Sequence, residues 1–208
     1  MKRGVILKII SGTLKGRNIE GFNIEGTRPT MDRVKESLFA MIQNNIKDSM
    51  VLDLFAGSGQ LGIEAISNGA KLCYFIDNNK EVIKVLNRNI SNLNIKPSSK
   101  VILSDWKKSL NEFSNQNIKF DLIFVDPPYD YNVYEKILDK VLDEDSLLSN
   151  KNVRENVVLT LKNLIYDEQS VEITYRKTIY SHKHSYKSFQ NLSCRFWSAI
   201  ISAPRPFS

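Results

Sequence analysis

The sequence predicts an α/β fold in which a mostly parallel sheet carries helices on both faces. Three observations lead to this prediction: apolar strand patterns alternate with amphipathic helix patterns from residue 50 onwards, the strands are almost continuously apolar, and a glycine-rich loop follows the first of them. Strands without a polar face are typical of sheets buried on both sides. The 208 residues, 42% apolar and 25% charged, have an ordinary globular composition, which excludes a disordered or collagen-like chain.

The first predicted elements are a hairpin and a helix. Residues 5–10 are mainly apolar and a glycine-containing stretch follows them, which predicts a short hairpin with a mobile basic turn. The segment RPTMDRVKESLFAMI predicts an amphipathic helix capped by Thr30, because its apolar residues recur at helical spacing. The residues expected on its buried face are Val34, Leu38, Met41 and Ile42.

Strand and helix patterns then alternate. Strands are predicted at residues 50–57, 71–77, 101–105 and 120–129. A short helix after the glycine loop should end at Asn68-Gly69, and a longer one is predicted over 79–93. The helix after the fourth strand has, on one face, Val133, Ile137, Leu138 and Val141. Strands predicted to complete the sheet are 157–161, 171–176 and 196–201.

Basic residues are concentrated at the two ends of the chain. Lys and Arg outnumber Asp and Glu by eight to three in residues 1–35 and by nine to four in 151–208, whereas residues 50–150 hold eleven basic and fourteen acidic residues. This asymmetry indicates a ligand-binding body between segments that meet a polyanion, although solvated surface would give the same counts. The predicted division is a basic hairpin extension over 1–29 and one domain over 30–208, with an atypical tail over 151–208.

Several classes of protein and site are excluded. Cys73 and Cys194 make neither a disulfide framework nor a metal cluster, and His182 and His184 have no partners at ligand spacing, so we expect no metal. Lys8 interrupts the first apolar run after four residues, short of the roughly 7–15 that a signal peptide needs. No run approaches the roughly 18–20 residues of a membrane span. We therefore expect a soluble, cytoplasmic protein.

The strongest local signal is the segment VLDLFAGSGQLG. Gly57, Gly59 and Gly62 satisfy the pattern G-x-G-x-x-G, and Asp77 follows at the end of the second strand. Such a loop lets a ligand approach a helix N-terminus while the carboxylate takes the two ribose hydroxyls. Dinucleotides of the NAD type and S-adenosylmethionine both satisfy this chemistry, and a tight turn alone would also require glycines.

Asp53 helps to separate the two ligands. A carboxylate on the strand before the loop would repel a pyrophosphate, whereas it can hold the ammonium group of a methionine moiety, directly or through water. The run Asp53-x-Phe55-x-Gly57-x-Gly59 resembles motif I of class I methyltransferases.

The second signal is DPPY, Asp126-Pro127-Pro128-Tyr129, at the end of the fourth strand. It resembles the element found in enzymes that methylate exocyclic amino groups of bases. The Asp126 carboxylate and the Pro127 carbonyl can accept hydrogen bonds from an amine and so direct its lone pair, while Tyr129 offers a face on which an extruded base can stack. A proline-stabilised strand end without function is the alternative.

Asp105 and Trp106 close the third strand. Class I methyltransferases place here a carboxylate for the adenine amino group and an apolar cover for the ring. An aspartate that merely caps the following helix would look the same.

The order of these segments resembles one family. LKIISGTLKGRNIE, RPTMDRVKESLF, LDLFAGSGQLGIEAISNGA and VDPPY match the bacterial small-subunit (16S) ribosomal RNA guanine-N2 methyltransferase family of the D type over about residues 6–145, whereas the chain after residue 148 departs from the family pattern. The resemblance implies a Rossmann-like class I fold with a seven-stranded sheet of order 3-2-1-4-5-7-6.

The same resemblance implies the chemistry. It implies methylation of a guanine of the position-966 type, with Asp126, Pro127 and Tyr129 handling the amine. S-adenosylmethionine would be the cofactor, bound by Asp53, Phe55, Gly57, Gly59, Asp77, Asp105 and Trp106. The residues expected to face the cofactor mouth and the RNA are Lys8, Lys15, Arg17, Arg28 and Arg33. The enzyme would act as a monomer on an assembling 30S particle.

Three other functions remain open from the residues. A DNA adenine or cytosine amino-methyltransferase would use the same DPPY, although the chain has no room for the usual target-recognition region. A non-catalytic RNA-binding relic of the fold is a second alternative, and the intact Asp126 and glycine loop argue against it. An NAD oxidoreductase is a third, and nothing near the loop would position a hydride acceptor.

Overall fold

The computed structural model describes residues 5–21, 32–127, 136–137, 140–141, 157–160 and 173–174. A two-stranded hairpin comes first, formed by β1 (Ile6–Lys8) and β2 (Asn18–Glu20). The helices are α1 (Asp32–Ile46), α2 (Gln60–Ser67), α3 (Lys80–Leu93) and α4 (Trp106–Asn115), with a short 3₁₀ turn at Lys96–Ser98. The strands of the main sheet are β3 (Met50–Asp53), β4 (Leu72–Asp77), β5 (Ser99–Leu103), β6 (Leu122–Val125), β7 (Val157–Thr160) and β8 (Ile173–Thr174).

The main sheet has the order β5-β4-β3-β6-β7-β8. The first five of these pair in parallel and β8 runs antiparallel to β7. If β3 is numbered as the first strand of this sheet, β4 as the second and so on along the chain, the order begins 3-2-1-4-5. This agrees with the order that the resemblance implied. The strand beside β7 is β8, the next described strand along the chain, whereas the expected order gives that place to the last strand. The predicted strand at 196–201 lies outside the described residues.

Alternate side chains of the central strands form two apolar cores. Val51, Phe75 and Phe124 lie in the core that α1, α2, α3 and the hairpin cover. Leu52, Ile76 and others lie in the second core, which contains residues of α4 and the helical residues Ile137 and Val141. Helices therefore cover both faces, as predicted. Of the face predicted for the helix after the fourth strand, Val133 and Leu138 lie outside the described side chains.

The buried face of α1 differs from the prediction. Leu38 and Ile42 are buried as expected, but Met41 is 39% exposed, and Lys35 has no exposed surface. Lys35 can be buried because its ammonium group donates to the Lys8 carbonyl at 2.8 Å and lies 3.0 Å from an Asp32 carboxylate oxygen. The predicted buried face did not include the lysine, because a charged side chain is rarely buried without such partners. Thr30, the predicted cap, is not among the described residues.

Residues 5–21 are integrated into this fold. Ile9 and Ile19 are 2% and 3% exposed and belong to the same apolar core as α1, α2 and α3. The turn is fixed to the end of α2: the Thr13 N–H donates to the Ser67 carbonyl at 2.7 Å and the Leu14 N–H to the Ser67 hydroxyl at 2.9 Å. The basic turn, expected to be mobile, is thus hydrogen-bonded to the main domain.

Within the residues that the structure describes, no helix is long and apolar enough to cross a membrane.

Candidate functional site

Four aspartates mark one edge of the sheet. Asp53 and Asp77 are the last residues of β3 and β4, Asp126 directly follows β6, and Asp105 comes two residues after β5. Because these strands are parallel, their carboxyl ends meet at the same edge, which is where doubly wound folds bind ligands. The strand order arranges them as Asp105, Asp77, Asp53 and Asp126, with neighbouring strands about 4.8 Å apart.

The loop after β3 lies between two neighbouring strands. The Leu54 N–H donates to the Phe124 carbonyl on β6 at 3.0 Å, and the Ala56 N–H donates to the Ile76 carbonyl on β4 at 2.9 Å. Gly57 and Gly59 then have φ angles of 56° and 86°, in the left-handed region that glycine adopts readily. Two glycines of the predicted pattern are therefore required by the backbone itself.

Two carboxylates brace this loop by accepting hydrogen bonds from backbone N–H groups of the loop and of the helix that follows it. An oxygen of Asp53 accepts the Gly62 N–H at 2.9 Å, and an oxygen of Asp77 accepts the Gly57 N–H at 3.0 Å. Gly59, which caps α2, has no side chain to satisfy the helix N-terminus, so Asp53 takes the place of a capping residue. Asp53 is only 1% exposed. Its predicted contact with an ammonium group stays a prediction.

Two of the three glycines face the protein interior. A Cβ on Gly59 would lie 2.4 Å from Leu86 Cδ1, and a Cβ on Gly62 would lie 2.3 Å from Phe75 Cε1. Sequence reasoning attributed the glycines to the close approach of a ligand. The structure assigns Gly59 and Gly62 also to the close packing of α2 against α3 and β4.

Asp77 is half-buried at the end of β4. Its other oxygen accepts the Asn79 N–H at 2.9 Å, so the carboxylate also fixes the start of α3. Burial raises the pKa of Asp77 above its ordinary value of 3.8, and the hydrogen bonds from backbone N–H groups, including those of Asn79 and Gly57, oppose the rise.

Asp105 and Trp106 lie where the sequence predicted. Asp105 is exposed and caps α4, accepting the Lys107 N–H at 2.8 Å. Asp105 therefore does cap the following helix, as the alternative reading of the sequence allowed. Its predicted contact with the adenine amino group stays a prediction. Trp106 is half-buried with the Lys107 ammonium group 5.5 Å from its ring centroid. Phe55 and Trp106 both pack against the second core.

Asp126 and Pro127 leave the sheet beside the glycine loop. Asp53 pairs with Phe124 in the β3–β6 register, so Asp126 lies two residues beyond that pair. Asp126 is half-buried and Pro127 is buried. Pro128 and Tyr129 lie outside the described residues.

The predicted RNA-binding residues do not share one end of the molecule. Arg33 is exposed in the first turn of α1. That turn lies toward the cofactor edge, because the far end of α1 leads into the start of β3. Arg17 instead donates to the Asn92 carbonyl at 3.1 Å, in the last turn of α3, about 20 Å along the helix from Asn79. Lys15 is next to Leu14, which bonds to the last residue of α2.

The expectation that the whole hairpin faces the cofactor mouth is therefore wrong for Lys15 and Arg17. The reason is that the hairpin turn is held at the C-terminal ends of α2 and α3, which point away from the ligand edge. Lys8 is exposed on β1, and Arg28 lies outside the described residues.

Sequence reasoning missed a buried polar cluster beneath the hairpin. The Glu64 carboxylate on α2 accepts the Ile10 N–H at 3.1 Å, the Ser11 N–H at 2.6 Å and the Ser11 hydroxyl at 2.7 Å. Lys35 lies 3.9 Å from it, and both side chains have no exposed surface. A lone glutamate in the apolar helix QLGIEAIS was the available signal, although nothing in the sequence names its partner.

Neither Cys73 nor any described cluster of side chains adds a nucleophile or a metal site. Cys73 is buried on β4, and burial, followed by the nearby Asp53 charge, raises the pKa of its thiol well above the ordinary value of 9.0. Cys73 belongs to the apolar core that α1, α2 and α3 cover. In the part of the chain that the structure describes, no group of three or more His, Cys, Asp or Glu residues could hold a metal ion.

Comparison with known proteins shows which family the sequence matches. The model of the family described as "Conserved hypothetical protein 95" matches residues 7–193. Ribosomal RNA small subunit methyltransferase D of Buchnera aphidicola (subspecies Acyrthosiphon pisum) is 36% identical over 176 residues, which cover 84% of this chain and 86% of that protein.

Solved structures agree with this fold. The Escherichia coli protein yhhF superposes with a TM-score of 0.63 at 30% identity, covering 74% of this chain and 81% of that one. A methyltransferase solved with SAH has a TM-score of 0.58 at 15% identity, covering 78% of this chain and 43% of that one. At that identity the second likeness shows the fold alone.

The residues present fit S-adenosylmethionine. Gly57 and Gly59 hold the loop backbone in left-handed conformations, Asp77 keeps a half-buried carboxylate at the end of β4, and the half-buried Trp106 follows β5. Together with the sheet order and the relatives, these features identify an S-adenosylmethionine-dependent methyltransferase. The chain belongs to the ribosomal RNA small subunit methyltransferase D family.

Proposed function

We propose that this enzyme methylates the exocyclic N2 amino group of a guanine in small-subunit ribosomal RNA, of the position-966 type. The observation that carries the proposal is that Asp126 and Pro127 leave β6 directly beside the braced glycine loop, because β6 is the hydrogen-bonded neighbour of β3. An amine acceptor and a cofactor loop thus meet at one edge of the sheet. The names of the relatives support ribosomal RNA as the substrate.

The cofactor would be held by the loop and by residues at the neighbouring strand ends. Gly57 and Gly59 would hold the loop backbone in the conformation that the cofactor needs, Asp77 would accept the ribose hydroxyls, and Trp106 would cover the adenine. Asp53 and Phe55 would lie beneath the methionine moiety and Asp105 beside the adenine. When bound, S-adenosylmethionine supplies an electrophilic methyl group.

The chain's own residues would prepare the amine. A guanine N2 amine is a poor nucleophile because its lone pair is delocalised into the ring. The Asp126 carboxylate and the Pro127 carbonyl accept hydrogen bonds from its two hydrogens, which favours a pyramidal nitrogen with the lone pair directed at the methyl group. This is catalysis by positioning and by preorganised acceptors, and Tyr129 would stack on the extruded base.

The basic residues would bind the RNA around the target base. Lys8 and Arg33 are exposed on the hairpin and on α1, and Arg28 lies between these elements in the sequence. Lys15 and Arg17 would contact phosphates farther along the substrate. We extend the proposal to a cytoplasmic monomer that acts on an assembling 30S particle.

The proposal is tested by supplying labelled S-adenosylmethionine with whole small subunits, naked small-subunit RNA or double-stranded DNA, and by mapping the modified base. We expect label on one guanine N2 of the RNA or the particle and none on DNA. Label on adenine or cytosine of DNA would support the DNA amino-methyltransferase instead. No label on any of the three, with intact cofactor binding, would indicate the non-catalytic alternative.

A further inference from the structure

Asn89 on α3 joins the glycine loop to the hairpin. Its side-chain nitrogen donates to the Ser58 carbonyl in the loop at 3.0 Å and to the Glu20 carbonyl on β2 at 2.9 Å. Its side-chain oxygen accepts the Glu20 N–H at 2.8 Å. Three hydrogen bonds from one amide thus connect two segments that the sequence separates by more than thirty residues.

The surroundings of Asn89 make these bonds strong constraints. Asn89 is 1% exposed and lies on the apolar face of α3. A buried amide that loses its partners is destabilised by desolvation, so the carbonyls of Ser58 and Glu20 are held where the amide can reach them. Leu86, one turn earlier on the same helix, packs against the Cα of Gly59 so closely that no Cβ would fit. The loop therefore rests on α3 through both a polar and an apolar contact.

We propose that Asn89 is a positioning residue for the cofactor loop, and that it makes the loop's binding conformation depend on the docked hairpin. Asn89 has no role in the chemistry proposed for Asp126. It acts by keeping the Ser58 carbonyl, and with it the turn at Gly57 and Gly59, in the conformation that the cofactor requires. Loss of this constraint lowers the population of the binding conformation, and the apparent affinity falls by the same factor.

The adjacent residue provides a matched control. Arg88 holds the same strand by a different contact, because its guanidinium group donates to a Glu20 side-chain oxygen at 2.8 and 3.0 Å. In the part of the chain that the structure describes, the Arg88 guanidinium group pairs with Glu20 and does not bond to the glycine loop. Arg88→Ala removes only this ion pair between partly exposed side chains, so the Asn89 bonds to Ser58 and to the Glu20 backbone remain and the hairpin stays docked.

The experiment measures S-adenosylhomocysteine affinity, the KM for S-adenosylmethionine, kcat and the melting temperature for Asn89→Ala, Asn89→Asp and Arg88→Ala. Asn89→Asp keeps the size of the side chain and the acceptor for the Glu20 N–H but has no amide donors. We expect both Asn89 variants to raise the Kd and the KM roughly five- to tenfold, the effect of about one hydrogen bond, with kcat within twofold. Arg88→Ala should leave all three within twofold. Wild-type affinity in both folded Asn89 variants would overturn the proposal, as would an equal loss in Arg88→Ala.

A measurement on the wild-type protein keeps the test independent of variant folding. Hydrogen exchange of the Glu20 N–H, which donates to Asn89, should slow at least threefold when S-adenosylhomocysteine saturates the protein. The Gly16 N–H, which donates to the Ile9 carbonyl within the hairpin, serves as the reference. Equal slowing of both amides, or no slowing of Glu20, would overturn the coupling between loop and hairpin.

Discussion

The carboxylate of Asp77 connects to Gly57 across the cofactor edge, one oxygen accepting the Gly57 N–H at 3.0 Å. The other oxygen accepts the Asn79 N–H at 2.9 Å, and Asn79 in turn caps α3. The end of β4, the glycine loop and the start of α3 thus form one hydrogen-bonded unit. A ligand that contacts Asp77 meets a carboxylate that its neighbours already hold in place.

Asp77→Asn is expected to weaken S-adenosylhomocysteine binding by at least tenfold, since the proposed ribose acceptor loses its charge and one of its two acceptor oxygens. The ionised carboxylate is the form that accepts both hydroxyls. Because burial raises the pKa of Asp77, wild-type affinity should begin to fall at a higher pH than an ordinary aspartate with a pKa of 3.8 would give. Titration calorimetry across the acid range checks both statements. An acid limb that survives in Asp77→Asn would assign it to another group.

The same raised pKa predicts the sign of a stability effect. The folded protein binds the Asp77 proton more tightly than the unfolded chain does, so this residue favours folding most at low pH. Its contribution is present below the unfolded pKa and is lost as pH rises through the folded one. The difference in unfolding free energy between wild type and Asp77→Asn should therefore change across this acid window and stay constant at neutral pH.

Asp126→Ala is expected to abolish methyl transfer while S-adenosylhomocysteine affinity stays within a few-fold. The reason is that Asp126 follows β6, whereas the loop is braced by Asp53 and Asp77. Single-turnover methylation and a binding titration on the same preparation separate the two effects. Retained methylation would contradict the proposed role of the carboxylate.

Gly59→Ala and Gly16→Ala separate backbone strain from packing. Both glycines have left-handed φ angles, 86° and 83°, but a Cβ on Gly59 would lie 2.4 Å from Leu86 Cδ1, whereas a Cβ on Gly16 would meet nothing within 4 Å. Each variant should lose about 1–2 kcal/mol of unfolding free energy from strain. Gly59→Ala should lose a further 1–3 kcal/mol or so from overpacking against the buried Leu86. Equal losses in urea titrations would show that the loop moves freely away from α3.

Glu64→Leu is expected to lower the unfolding free energy by about 3 kcal/mol. The substitution removes the acceptor for the Ile10 and Ser11 N–H groups and leaves the buried Lys35 with one carboxylate fewer. Glu81→Leu is the matched control, because Glu81 is an exposed carboxylate that pairs with Lys84 on the surface of α3. Its melting temperature should stay close to that of the wild type. A Glu64 variant as stable as the control would mean that the hairpin finds other partners.

Lys15→Glu is expected to weaken binding of long small-subunit RNA without changing kcat, because the hairpin turn lies at the far ends of α2 and α3 from the proposed chemistry. If the hairpin neutralises about three to five phosphates, the log–log salt slope should be roughly −2 to −4 in the wild type and shallower by about one in the variant. Lys108→Glu is the control, because it makes the same charge change on α4, which covers the opposite face of the sheet. Equal effects of the two variants would indicate only a general charge effect.

The fold was largely predictable because its strands carry strong local signals. Val51, Leu52 and their neighbours on β4 and β6 form apolar runs bounded by glycine, aspartate or proline, and their order follows from the βα alternation. The α1 face was predicted less well because periodicity cannot anticipate that the Lys35 ammonium group finds the Lys8 carbonyl and the carboxylates of Asp32 and Glu64 as partners. Lys35 therefore replaced Met41 on the buried face.

The site was predictable where one residue performs one local task. Asp77 and Gly57 lie twenty residues apart in a recognisable pattern, and the structure joins them by a hydrogen bond. Asn89 and Glu64 were not predictable, because their partners are backbone groups of distant segments and backbone groups leave no signature in a sequence. The family resemblance also placed Lys15 and Arg17 at the cofactor mouth, because a resemblance in sequence does not give the direction in which a hairpin lies.

The anchoring of the hairpin has a consequence for the nascent chain. Glu20 is translated 69 residues before its partner Asn89, and Ser11 is translated 53 residues before Glu64. At roughly 5–20 residues per second, Glu20 waits about 3–14 s for Asn89 to be translated. During this interval Ile9 and Ile19 lack the core that later buries them. The first of these segments to leave the ribosome therefore stays unpacked, with its apolar side chains exposed, until α2 and α3 have been translated.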